Sequence, residues 1–138
     1  MVQANRKGDI VARVFIVEDH PVVRKGYVAF ISREPGMEVC GEASSAQEAL
    51  AALPSAKADV LVLDVSLPGS MNGIDLLREL KGIYPDLPIL VVSGNEEAVY
   101  GELVVNLGAW GYLMKGNAEA FVQAVRAMVS DTQRPQPL

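Results

Sequence analysis

Three carboxylates, a hydroxyl and an ammonium stand where short apolar runs of this chain give out. Glu18 and Asp19 follow one run, Asp64 ends another, Ser93 a third and Lys115 a fourth. Carboxylates brought close together repel unless something cationic neutralises them. A hard divalent ion with oxygen ligands does so, and Mg²⁺ suits a small site that keeps waters. A lysine at about 4 Å, at an effective dielectric near 20, is worth roughly 4 kcal/mol to one partner anion before desolvation. A carboxylate so placed can attack phosphorus to give an acyl phosphate. The cation and the lysine would neutralise charge on the phosphoryl group, and the protein would otherwise position the partners. Ser93 would donate a hydrogen bond to the phosphate oxygens. Taken alone, Asp64 reads equally well as a cap on the turn that follows it.

The elements that must position these groups are legible from periodicity. Residues 60 to 63 are all apolar and are closed off by Pro68 and Gly69, which predicts a strand buried on both faces. Such strands belong to parallel sheets covered by helices. Further strands are predicted at 10–17, 37–43, 89–93 and 110–114. Helical spacing predicts helices at 21–33, 73–84, 95–107 and 118–129. A capping box, Ser45 to Glu48, starts another that stops before Pro54. Helix 95–107 is the least regular, with Gly101 inside it and with Val104 and Val105 unable to face the core together. Five strands alternating with five helices predict a parallel α/β sheet with right-handed crossovers. The ligand crevice of such sheets lies at the carboxyl ends of the strands.

The chain has 138 residues, half of them hydrophobic, which suits one domain with one core. Residues 1–9 read as a lead-in, 10–130 as the domain and 131–138 as the beginning of a linker, with no output domain expected in this sequence. The net charge is −5 and no basic patch is visible, so nucleic-acid binding by this domain is not expected. The single cysteine, Cys40, reads as a buried small hydrophobe, and a cytoplasmic location is expected. No apolar run approaches the ~20 residues of a membrane span.

Four motifs together resemble the receiver domain of a two-component response regulator. They are Val17-Glu-Asp-His-Pro21, Leu63-Asp64-Val-Ser-Leu-Pro68 with Gly73 beyond, Val91-Val-Ser93-Gly94 and Gly108-Ala-Trp-Gly-Tyr-Leu-Met-Lys115. The wording is most similar to receivers that precede a helix-turn-helix DNA-binding domain. The resemblance implies a CheY-like, flavodoxin-like sheet of order 2-1-3-4-5. It implies that Asp64 is the phosphoacceptor, that Asp19, Asp64 and the Ser66 carbonyl bind Mg²⁺, and that Glu18 acts through water. Ser93 and Lys115 would contact the phosphoryl group, and Tyr112 would be an aromatic switch. The implied partner is a sensor histidine kinase. The implied response is a changed surface on helix four, strand five and helix five, where a homodimer can form. Gly116 stands where many members have proline, which leaves the lysine loop cis or trans. His20 reads as the start of the first helix, and Ser66 and Asn95 as modulators of phosphate lifetime or plain loop residues. Two other chemistries compete with this one: an Asp-dependent phosphatase, which would want a second Asp where Ser66 stands, and a receiver-like adaptor that takes no phosphate.

Overall fold

Val60-Leu-Val-Leu-Asp64 is buried at every position and forms the middle strand of the sheet. The computed structural model describes residues 3–4, 10–94 and 98–133. Five strands run parallel: β1 (Ile10–Val17), β2 (Met37–Ala43), β3 (Val60–Asp64), β4 (Ile89–Ser93) and β5 (Gly111–Met114). Their order is 2-1-3-4-5, as expected. Between and after them come α1 (Pro21–Ser32), α2 (Ala46–Ala56), α3 (Gly73–Ile83), α4 (Ala98–Asn106) and α5 (Ala118–Gln133).

Alternate strand residues point to opposite faces, and each face has its own core. Phe15, Leu61, Leu63, Ile89 and Val91 pack against Leu53 of α2, Leu76, Leu77 and Leu80 of α3, and Val104 of α4. Val14, Ile16, Val60, Val62, Leu90 and Val92 pack against Tyr27 and Ile31 of α1 and Phe121, Val125 and Met128 of α5. Tyr27 and Phe121 stack with centroids 4.3 Å apart. Burying each large aliphatic side chain contributes about 1.5–3 kcal/mol.

The structure departs from the sequence reading at several places. The lead-in contains a two-residue strand, Gln3–Ala4, paired antiparallel with Val11 and Ile10. β1 begins before its parallel neighbours do, at Ala12 for β2 and Val14 for β3, so its first residues take this partner instead. α2 does not stop before Pro54 but runs on to Ala56, where Lys57 leaves the helix in the left-handed region (φ 53°). Proline removes one N–H from that last turn. The Arg13 guanidinium caps the helix end, donating to the carbonyls of Ala56 (2.9 Å) and Lys57 (3.1 Å). Ser45 caps α2, but the Glu48 carboxylate reaches one residue further back, to the amide and hydroxyl of Ser44. α5 is a turn longer than expected and takes in Asp131 to Gln133, which read as linker. Asn95 lies outside the described residues.

At the amino ends of the strands Asp59 accepts the Arg13 N–H (2.8 Å), and its own N–H donates to the Arg13 carbonyl (2.8 Å). This exchange fixes the register of β3 on β1. In α4, Val104 is buried and Val105 is 49% exposed. Gly101 lies under the Tyr112 ring, where a Cβ would come within 2.9 Å of the ring, and this is why α4 carries a glycine there.

Cys40 is half-buried in β2, and burial pushes its thiol up to about 11. At pH 8 about 0.1% of it is thiolate, against about a quarter of an unperturbed thiol. Iodoacetamide should therefore alkylate it about two hundredfold more slowly than a small thiol at that pH. The rate should climb about tenfold per pH unit toward pH 10, where the small thiol has levelled off. Alkylation kinetics across that range check this, and a rate equal to the small thiol's would contradict the burial.

Candidate functional site

The carboxyl ends of β1, β3, β4 and β5 bring the expected residues to one rim. Glu18 follows β1 with its N–H bonded to the Ala43 carbonyl at the end of β2 (2.9 Å). Asp64 pairs with Val92, one residue short of Ser93. Ser93 pairs with Met114, and its carbonyl accepts the Lys115 N–H (2.8 Å). The sheet register thus carries Lys115 toward the carboxylates. Its Nζ lies 3.0 Å from Glu18 Oε1 and 3.2 Å from Asp64 Oδ2. The Lys115–Gly116 peptide is not cis, and Gly116 has φ +112°, a turn that suits glycine.

Asp64 and Glu18 are fully buried, Ser93 nearly so, and Asp19 half-buried. Asp64 Oδ1 accepts hydrogen bonds from the Ser66 N–H (3.0 Å) and the Ser66 hydroxyl (2.9 Å). Burial acts to raise the Asp64 carboxyl, but the Ser66 amide, Glu18 and Lys115 outweigh it and hold the carboxyl below its ordinary value. Burial and then the neighbouring Asp64 raise Glu18. The negative charge of the pair therefore rests preferentially on Asp64, which is what a nucleophile requires. Burial alone would lower Lys115, but Glu18 and Asp64 raise it, so the ammonium stays charged.

Sequence reading understated two residues. His20 Nδ1 is 3.0 Å from Glu18 Oε2 and 3.3 Å from Asp19 Oδ1, so the imidazole belongs to the acidic group as well as preceding α1. Its place directly after two acids was the available signal. Arg24, one turn into α1, donates to the Glu18 carbonyl (2.8 Å) and pairs with Glu42 (3.2 Å). Its only signal was helical spacing from that same loop. Tyr112 packs its ring on Gly101, at the junction of α4 and β5. Trp110 donates its indole N–H to Asp131 of α5 (2.7 Å).

The donor set suits a small hard cation. One ligand atom from each of Glu18, Asp19, His20 and Asp64 lies within 4.8 Å of the others. Glu18 Oε1, Asp19 Oδ1 and Asp64 Oδ2 are buried oxygens turned into the site, with the Lys115 ammonium and the His20 ring as the cationic groups beside them. Mg²⁺ takes oxygen ligands of this kind.

The model of the response regulator receiver domain family matches residues 14–126. The DNA-binding transcriptional activator DevR/DosR of Mycobacterium tuberculosis is 44% identical over 105 residues, covering 75% of this chain and 47% of that protein. The nitrate/nitrite response regulator NarL of Escherichia coli is 36% identical over 106 residues, covering 75% and 48%. The chain thus spans about half the length of these curated relatives. Among solved structures, a LuxR-family two-component response regulator from Aurantimonas sp. SI85-9A1 superposes with TM-score 0.81 at 32% identity, covering 88% of this chain and 86% of that one. The isolated receiver domain of RcsB from Salmonella enterica serovar Typhimurium, with the phosphomimetic BeF3-, gives 0.80 at 27%, covering 92% and 94%. Among the described residues no helix is long and apolar enough to cross a membrane.

Proposed function

The chain belongs to the response regulator receiver domain family, and from that membership we propose that Asp64 takes a phosphoryl group from a histidine kinase in a Mg²⁺-dependent reaction. Receiver domains of this family work with histidine kinases, and its members include DNA-binding regulators. The observation that carries the assignment is the buried Asp64 carboxyl with the Lys115 ammonium 3.2 Å away. A carboxylate oxygen of Asp64 attacks phosphorus and the bond from phosphorus to the donor breaks. The electron pair leaves with the donor, and an acyl phosphate stands on Asp64. Glu18, Asp19, Asp64 and the Ser66 carbonyl are the residues that would hold Mg²⁺, which when bound supplies charge neutralisation to the phosphoryl oxygens. Lys115 and the Ser93 hydroxyl bind those oxygens, and the Ser66 amide and hydroxyl orient the nucleophile.

Phosphorylation adds about 1.5–2 negative charges at the rim. Ser93 is drawn toward them, Tyr112 moves on Gly101, and the surface of α4, β5 and α5 changes for a partner or a second copy. Coupling of about 1–3 kcal/mol suffices to shift such an equilibrium. The switching unit runs from β1 through the end of α5, residues 10–133. In the relatives' manner it would govern DNA binding by a further domain.

The test is intact mass after incubation with acetyl phosphate. A gain of one phosphoryl group that requires Mg²⁺ is expected; no gain, or a gain unchanged by EDTA, overturns the reading. Lys115→Ala should slow the labelling by about 10²-fold, because one fixed charge on the transferring group is lost. The same variant should bind Mg²⁺ at least as tightly as the unaltered protein, since a competing cation has gone. Calorimetric titration beside the mass assay checks both.

A further inference from the structure

Arg24 reaches the acidic cluster through the backbone. Its guanidinium donates to the Glu18 carbonyl (2.8 Å) and is braced by Glu42 at the end of β2 (3.2 Å), with only a fifth of the side chain exposed. Its own N–H bonds the His20 carbonyl (2.9 Å), closing the first turn of α1 over the loop. On the other side of the same residue, the Glu18 N–H is held by Ala43, the neighbour of Glu42. Both peptide groups of Glu18 are therefore fixed against β2. The carbonyl that Arg24 grips belongs to the peptide joining Glu18 to Asp19, and the plane of that peptide sets where the Asp19 side chain points. Asp19 is half-buried, with its Oδ1 3.3 Å from the His20 ring nitrogen.

We propose that Arg24 is the positioning residue of the acidic pair: by clamping the Glu18–Asp19 peptide to the end of β2, it sets the affinity of the site for its divalent cation. The inference rests on the reading that this site binds Mg²⁺. It makes a prediction whose sign separates it from simple electrostatics. As a nearby positive charge, Arg24 opposes cation binding, and its loss would tighten the site. As a clamp, its loss loosens the site, because a charge-assisted hydrogen bond that preorganises the ligands is gone.

The experiment is a calorimetric Mg²⁺ titration of the unaltered protein, Arg24→Ala and Arg24→Lys, beside acetyl phosphate labelling at saturating Mg²⁺. Arg24→Ala should weaken Mg²⁺ by about tenfold. Arg24→Lys, which keeps the charge but cannot hold the carbonyl and Glu42 together, should weaken it by about threefold. At saturating Mg²⁺ both variants should label within about twofold of the unaltered rate, since the reacting groups are untouched. Unchanged or tighter Mg²⁺ binding in Arg24→Ala overturns the proposal. So does slow labelling that saturating Mg²⁺ does not restore, which would make Arg24 a general support of the fold. If Arg24→Ala does not fold, Arg24→Lys is held to the same criteria. Failure of the unaltered protein to bind Mg²⁺ would instead overturn the metal assignment on which the proposal stands.

Discussion

Asp64→Asn is expected to leave the protein folded and to lower labelling by acetyl phosphate by at least about 10³-fold. The substitution is nearly isosteric, so β3 keeps its packing, and the amide oxygen can still accept the two hydrogen bonds that Ser66 donates to Oδ1. What disappears is the charged oxygen. An amide is a poor nucleophile, and its NH₂ would face the Lys115 ammonium instead of neutralising it. Stability should hold or rise slightly, because the variant removes one of two buried carboxylates that are pressed together. Intact mass gives the labelling, and a thermal melt verifies the fold. A melting temperature near the original together with undiminished labelling would take Asp64 out of its role.

The largest expected effect on stability is that of Gly73→Ala. Gly73 opens α3 directly beneath the end of β3, with its N–H bonded to the Val65 carbonyl (3.2 Å). A Cβ there would lie 2.4 Å from Val65 Cα and 2.6 Å from the carbonyl oxygens of Asp64 and Val65. All three are backbone atoms, which cannot turn aside as a side chain can. The chain must either part α3 from β3 or move the Asp64–Val65 peptide. We expect a cost of about 3 kcal/mol, at the upper end for overpacking, and a fall in Tm on the order of 10 °C. Labelling should fall with it, because the displaced peptide carries Asp64, the proposed phosphoacceptor. The internal comparison is Gly26→Ala in α1, where nothing lies within 4 Å of the added carbon. There the better helix propensity should stabilise by about 0.5–1 kcal/mol. Urea midpoints for the two variants check the contrast, and equal midpoints would contradict the close approach.

Much of this was legible in the sequence because it depends on local pattern. The apolar runs placed the five parallel strands, and the strand-end rule then brought Glu18, Asp64, Ser93 and Lys115 to one rim without any knowledge of distances. Features that depend on distant partners were not legible. Gln3–Ala4 forms a strand only because β1 outruns its neighbours. α2 runs past Pro54 to an end that Arg13, from another strand, caps by donating to its last carbonyls. Gly101 looked like a flaw in α4 until the Tyr112 ring was seen to occupy the space of its missing side chain. His20 and Arg24 escaped for a related reason. Each sits on an element whose position alone explains it, and only the folded chain brings their nitrogens to Glu18.

β3 carries an aspartate at each end, and the two have opposite fates. Asp59 is committed to the Arg13 backbone and anchors the strand, whereas Asp64 has the Lys115 ammonium 3.2 Å from its Oδ2. Anchorage and reactivity are thus segregated to opposite poles of one five-residue segment. The turns at the anchored pole, such as the exposed Pro85–Asp86 corner held by Lys81, can be cut, lengthened or joined to a reporter while the reactive pole stays intact. A permuted chain with its new ends at that corner would carry the whole rim of Glu18, Asp64, Ser93 and Lys115 on uninterrupted strands.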